Sequence, residues 1–212
     1  MSRSKKINNN GFKGKVGGKI TYLLNGQLVE RTVGITTKDP TDLQKANRQK
    51  MKLVTELLKP VVKFVAIGFR QDTKNTLLSP YNKSTAINKL NAIEGNYPNQ
   101  QIDYSRVQLS KGVLPLADAI TVAGIESGLH FNWNASFLAA GMSLKDRVML
   151  VAYSEEKRKA FYEIDGAQRR EGADSLIIPR YQEKVLFHTY LAFISSSGER
   201  ISSSQYVGQV LW

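Results

Sequence analysis

The sequence predicts an α+β fold, an N-terminal hairpin-plus-helices segment followed by an antiparallel β-sandwich. Three observations lead there. An Asn25-Gly26 dipeptide separates two apolar runs, a helical apolar period runs from Leu43 to Leu58, and the period changes to about two from Ile102 onward. With 212 residues and 42% hydrophobic content, the chain can bury one large core or two small ones. It divides into a flexible basic arm at 1–12, a hairpin and helical region at 13–100, and a β-sandwich domain at 101–212.

Residues 1–12 are polar, with an Asn8-Asn9-Asn10 run and few apolar anchors. Such an arm is disordered in isolation and orders against a partner. Gly11, Gly14, Gly17 and Gly18 interleave with Lys13, Lys15 and Lys19, which invites a phosphate-loop reading. The spacing rejects it: Ile20 stands where a hydroxyl would bind magnesium, and Lys13, not glycine, lies five before Gly18. Gly14-Lys15-Val16-Gly17 matches the bare GXXG of a KH loop, but nothing around it resembles a KH domain.

Asn25-Gly26 lies between Ile20–Leu24 and Gln27–Arg31. A two-residue Asn-Gly loop favours a type I′ turn, because both residues accept positive φ. Asp39-Pro40-Thr41-Asp42 then starts a helix, with either Asp39 capping ahead of Pro40 or Thr41 capping with Gln44 three residues on. That helix should turn Leu43, Ala46, Leu53, Val54, Leu57 and Leu58 inward. Lys45, Arg48, Lys52 and Lys59 then share another face. Pro60 should kink or restart it before Val61–Val65, and Gly68 should stop it. After a polar connector at 70–78, Ser79-Pro80 starts a second helix with Tyr81, Ile87, Leu90 and Ile93 on one stripe. Gly95 and Pro98 end it.

Candidate strands follow at Tyr104–Leu109, Ala119–Ala123, Leu129–Trp133, Arg147–Tyr153, Ala160–Ile164, Ser175–Ile178, Val185–Ile194 and Gln205–Leu211. Trp133 should face inward as a core anchor. From about Ala119 the chain resembles fibronectin type III and immunoglobulin-like sandwiches, with an early Trp-bearing strand and a late Tyr-bearing strand before a Gly-containing hairpin. As a whole it also resembles an uncharacterised bacterial domain-of-unknown-function family, seen mainly in Bacteroidota. The matching residues are Gly14-Lys15-Val16-Gly17, the Asn25-Gly26 hairpin ending in Arg31, Gly68-Phe69, Asn96-Tyr97-Pro98, Ile102–Ser105 and Leu109–Pro115. That resemblance supports an architecture and implies no activity. Similar N-terminal patterns in phage-associated small proteins imply a particle or mobile-element role.

The absence of cysteine excludes disulfides, thiolate catalysis and thiolate zinc sites. Only His130 and His188 supply imidazoles, each within an alternating strand, and no HxH, HExxH or GxSxG spacing occurs. Glu155-Glu156 before Lys157-Arg158-Lys159 reads as a solvated turn, and Arg169-Arg170-Glu171 is similar. The expectation is therefore a non-enzymatic protein without cofactor or metal. The N-terminus has positive charges but no apolar h-region, and no window approaches a membrane span. That pattern leads us to expect a cytoplasmic or virion-associated protein.

Charge then frames two binding roles. Residues 1–63 hold 14 Lys and Arg against 4 Asp and Glu, a net +10 of the total +12. In the first role a structural, self-assembling protein packs through its sandwich while the arm docks on a neighbouring subunit, giving a homo-oligomer or a contact with other subunits. Phe161 and Tyr162 are contact residues in that role, or simple core. In the second, a sequence-independent DNA or RNA binder contacts phosphates through Arg3, Lys5, Lys6, Lys13, Lys15, Lys19, Lys45, Arg48 and Lys52. Phe12 and Tyr22 are the only aromatics in that basic region, which disfavours single-strand stacking there.

Overall fold

The computed structural model describes residues 13–35, 37–136 and 139–212, which fall into two compact units divided after Thr41. The first is a three-stranded antiparallel sheet of β1 (Gly14–Val16), β2 (Lys19–Leu24) and β3 (Gln27–Thr32), in that order. Asn25 and Gly26 take φ of 50° and 77°, the two left-handed positions that a type I′ turn demands. That turn fixes Leu24 opposite Gln27 and so sets the register of the whole pair.

The second unit opens with α1 (Asp42–Leu58), the start given by the Thr41 alternative. Val54, Leu57 and Leu58 are buried, but Leu43 is 85% exposed. It occupies the first turn, where Asp42, Gln44 and Lys45 are exposed as well, so the expectation that it turns inward fails. Pro60 sits in a short 3₁₀ turn, Lys59–Val61, after which the helix restarts as α2 (Val62–Gly68). A single helical turn, α3 (Arg70–Thr73), interrupts the connector. The next helix, α4 (Pro80–Asn91), is capped by Ser79, whose Oγ accepts from the Asn82 amide at 3.1 Å.

The buried stripe of α4 is polar, formed by Ser84, Thr85 and Asn88, and Leu90 is 82% exposed on the opposite side. Asn88 makes that stripe tolerable. Its Nδ2 donates to the carbonyls of Ser84 and Gln108, and its Oδ1 accepts from the Gln108 amide. The same contacts explain why no strand forms at Tyr104–Leu109. Asp103 Oδ1 accepts from the Ser105 amide and closes a 3₁₀ turn at Tyr104–Arg106, and the chain then bonds to the Asn88 side chain in place of a strand partner. A two-stranded ladder, β4 (Ile93–Glu94) with β5 (Gln101–Ile102), precedes it.

The remaining chain is antiparallel sheet: β6 (Asp118–Ile125), β7 (Gly128–Asn134), β8 (Arg147–Ser154), β9 (Lys159–Glu163), β10 (Ala173–Ile177), β11 (Leu186–Ile194) and β12 (Gln205–Leu211). These lie within two residues of seven expected strands. They form two open sheets ordered β10-β7-β6 and β12-β11-β8-β9. Leu129, Phe131 and Trp133 of β7 pack in one buried cluster with Val148, Leu150 and Ala152 of β8 and Phe187, Leu191 and Phe193 of β11. The alternate residues Met149, Val151, Tyr153, Tyr190 and Ala192 pack with Val54, Leu57, Phe64 and Phe69 of the helical segment. Helices before residue 100 and strands after it therefore share a core, and the four-stranded sheet is covered on both faces. Trp133 is 5% exposed, and its Nε1 donates to the Arg169 carbonyl at 2.7 Å.

Candidate interaction surfaces

In the N-terminal sheet, register decides which lysines act together. Residues directly opposite across an antiparallel pair point to the same face. Lys15 lies opposite Ile20 and Val16 opposite Lys19, so Lys15 and Lys19 point to opposite faces. Lys19 Nζ lies 2.7 Å from Glu30 Oε1 on its face, and Arg31 lies over the Tyr22 ring at 5.8 Å on the other. Lys13 is exposed just before β1. The basic cluster expected from sequence is thus divided here, and Arg3, Lys5 and Lys6 lie outside the described residues.

The sheet's apolar side chains are equally divided. Ile20, Tyr22, Leu24 and Val29 share one face, Val16, Leu23 and Leu28 the other. Thr21 is the one buried residue among those described up to Thr41, while Val16, Leu23, Leu24 and Ile35 are 57, 47, 52 and 88% exposed.

On α1, Lys45, Arg48 and Lys52 are exposed on one face, as their spacing requires. Lys45 Nζ lies 3.1 Å from Asp42 Oδ1, and Arg48 and Lys52 have no ion pair among the described residues. Phe161 and Tyr162 are both half-buried, one packed against each core cluster, so both carry packing roles.

A third surface joins residues that lie far apart in sequence. Glu56, Lys59 and Pro60 from the end of α1 and its 3₁₀ turn, Arg158–Phe161 from the β8–β9 turn and β9, and Pro179–Tyr181 after β10 line a groove of about 760 Å³. Its walls carry four cations, Lys59, Arg158, Lys159 and Arg180, and one carboxylate, Glu56, whose Oε1 is 3.9 Å from Arg158 Nη1. Phe161 and Tyr181 both lie against the Phe187 ring, at centroid distances of 6.1 and 6.4 Å. The run Lys157-Arg158-Lys159, expected as a solvated turn, is turn through Arg158 and enters β9 at Lys159. The partners that make it a groove come from about 100 residues earlier and 20 later, so no local pattern announces it.

The imidazoles are held apart in different sheets. His130 Nδ1 is 2.8 Å from Ser175 Oγ, whereas His188 stacks on Tyr104 with ring centroids 3.7 Å apart and lies 3.1 Å from Tyr206 Oη. Burial lowers the His188 pKa against an opposing pull from Glu155, and burial chiefly pushes the neighbouring Tyr153 up to about 12. Among the described residues no three His, Asp or Glu side chains are grouped to hold a metal ion. Among them also, no helix is long and apolar enough to cross a membrane.

A model for a family of unknown function, DUF6266, matches residues 11–208. The chain belongs to that family. No curated protein and no solved structure matches it. The DUF6266 match takes in the N-terminal sheet, the cationic face of α1 and every residue of the groove, and it leaves out Arg3, Lys5 and Lys6.

Proposed function

We propose that this DUF6266 chain is a non-enzymatic structural protein, of the kind that builds a phage-like particle. In this reading it self-assembles through its N-terminal sheet and packs through a fibronectin-like sandwich. The observation that carries the reading is the sheet at residues 14–32, which presents apolar side chains on both faces and buries none of them. Taken by itself, a three-stranded sheet that buries none of its apolar side chains is marginal in water. A second copy of the chain is the occupant we assign, and the basic arm expected at residues 1–12 lies outside the described residues.

Strand order supports the sandwich. If β6 to β12 are read as A, B, C, C′, E, F and G, the sheets are A-B-E and C′-C-F-G, an immunoglobulin-type arrangement lacking strand D. Trp133 then falls on strand B and Tyr190 on strand F. The non-catalytic reading is supported by the separation of the two histidines into different sheets and by the packing of His188, stacked on Tyr104 and 3.1 Å from Tyr206 Oη.

Sedimentation velocity on the full chain tests assembly across a concentration series. Leu24→Asp alters one face of the sheet and Leu23→Asp the other. We expect oligomers in the parent chain and their loss in at least one variant. A parent chain that stays monomeric at every concentration overturns the proposal. A second reading, phosphate contacts by DNA or RNA, is favoured by the ion-pair-free Arg48 and Lys52 on α1. It requires Arg48→Gln/Lys52→Gln to weaken duplex binding and flatten its salt dependence.

A further inference from the structure

The groove between the end of α1, β9 and the segment after β10 gathers four cations where one carboxylate is present to offset them. Bringing like charges together is unfavourable, so the arrangement favours an anion of more than one charge. Its second property is aromatic. Phe161 and Tyr181 line the same groove and are each only half-buried, so part of each ring is available to a planar partner. The groove is open to solvent, and its volume of about 760 Å³ is comparable to that of small-ligand clefts.

Cations that track phosphates beside rings that stack bases are the two components of single-strand recognition. We infer that this groove binds single-stranded nucleic acid, with phosphates on Lys59, Arg158, Lys159 and Arg180 and bases against Phe161 and Tyr181. A duplex cannot satisfy both components, because its bases are already stacked on one another. Inorganic phosphate can satisfy the cations alone.

The path extends along α1. Lys52, Glu56 and Lys59 are spaced by four and three, and Lys45 lies seven residues before Lys52, so all share a face. From Lys45 to Lys59 the helical rise is about 21 Å; along it Lys45 is paired with Asp42, Glu56 faces Arg158, and Lys52 carries no ion pair among the described residues. The aromatics lacking in the N-terminal basic region are supplied here by strand β9 and the chain after β10. This site differs from the assembly surface in both place and partner, so the two fail independently.

The test is fluorescence anisotropy of the full, nuclease-treated chain with a labelled oligothymidylate of about 12 nucleotides, within known single-strand site sizes, across a salt series. Arg158→Gln/Arg180→Gln should lower the slope of log affinity against log salt by about 1.4, at roughly 0.7 for each phosphate that is no longer neutralised. Tyr181→Ala should weaken binding about 5- to 150-fold with the slope unchanged, and Tyr181→Phe should restore it. Circular dichroism establishes that each variant is folded. Four results each overturn the inference: no binding at low salt, competition by duplex equal to that by single strand, equal competition by inorganic phosphate, or indifference of binding to all three variants.

Discussion

Arg169 and Asp146 form an ion pair whose side chains are both fully buried, with Nε 3.4 Å from Oδ2. Arg169 Nη2 donates to the Pro115 carbonyl at 2.9 Å, and the guanidinium lies 3.8 Å from the centre of the Phe193 ring. Asp146 Oδ2 also accepts from the Ser143 amide at 2.8 Å. Arg169 Nε and Nη1 and Asp146 Oδ1 are buried without a hydrogen-bond partner. Burial lowers the pKa of Arg169 from its usual value while Asp146 pulls it back. At 3.4 Å and an effective dielectric constant near 20, the gross attraction is about 5 kcal/mol, most of which desolvation offsets. Removing one partner forfeits the attraction and keeps the other partner's desolvation. Asp146→Ala should therefore cost about 3–5 kcal/mol, a fall of about 6–20 °C in Tm for a unit of this size. Arg169→Met/Asp146→Ala removes both charges and leaves a flexible apolar chain on Phe193, so it should cost less than the sum of the two single changes by about 2 kcal/mol. Urea denaturation of the three variants gives the cycle. A loss under about 1 kcal/mol for Asp146→Ala, or strict additivity, refutes the argument.

Three further outcomes are expected. Gly128 has φ of +148°, and a Cβ there would lie 2.1 Å from the Leu176 carbonyl oxygen on β10, so Gly128→Ala should cost about 2–4 kcal/mol in thermal denaturation; a neutral result would mean that β7 and β10 part easily. Ser79→Ala should cost about 1 kcal/mol and Ser79→Gly a few tenths, measured by urea midpoint, because only the side-chain acceptor at the α4 cap is lost. His188 has a folded pKa below that of the unfolded chain, so its contribution is complete above about pH 6.5 and declines as pH falls through that value, by at most about 1.4 kcal/mol per pH unit. His188→Gln should flatten the urea midpoint between about pH 7 and 5.5, and a parent chain that is already flat there counts against the burial argument.

Local chemistry explains which elements were legible in the sequence. Asn25-Gly26, Ser79-Pro80 and Pro60 each impose a backbone geometry by themselves, and each turn, cap or helix restart occurs where the residues require it. Alternation along β7 placed Trp133 in the core, and the segment Gln205–Leu211 is a strand with those same bounds. What failed depended on distant partners. The inward face of α4 is polar because Gln108 bonds Asn88 from 20 residues away, and the segment at 104–109 forgoes a ladder for the same contact. The site was legible only in part. The α1 cations share a face as their spacing dictates, Lys15 and Lys19 are separated by strand register, and the groove exists only once three segments have met.

The burial of β8 on both faces bears on how its alignment is chosen. A strand with one wet face resists a one-residue slip, because slipping would put every apolar side chain in water. On β8 the slip would exchange Val148, Leu150 and Ala152 for Met149, Val151 and Tyr153, one apolar set for another. Water therefore penalises misalignment of this strand very little, and its ends must select the pairing. At one end the Arg169 amide bonds the Asp146 carbonyl at 2.7 Å beside the buried ion pair. At the other, Arg158 takes φ of 48° to close the turn into β9. The charged pair that contributes little net stability thereby acquires a second task, as the peg that tells the central strand where to begin.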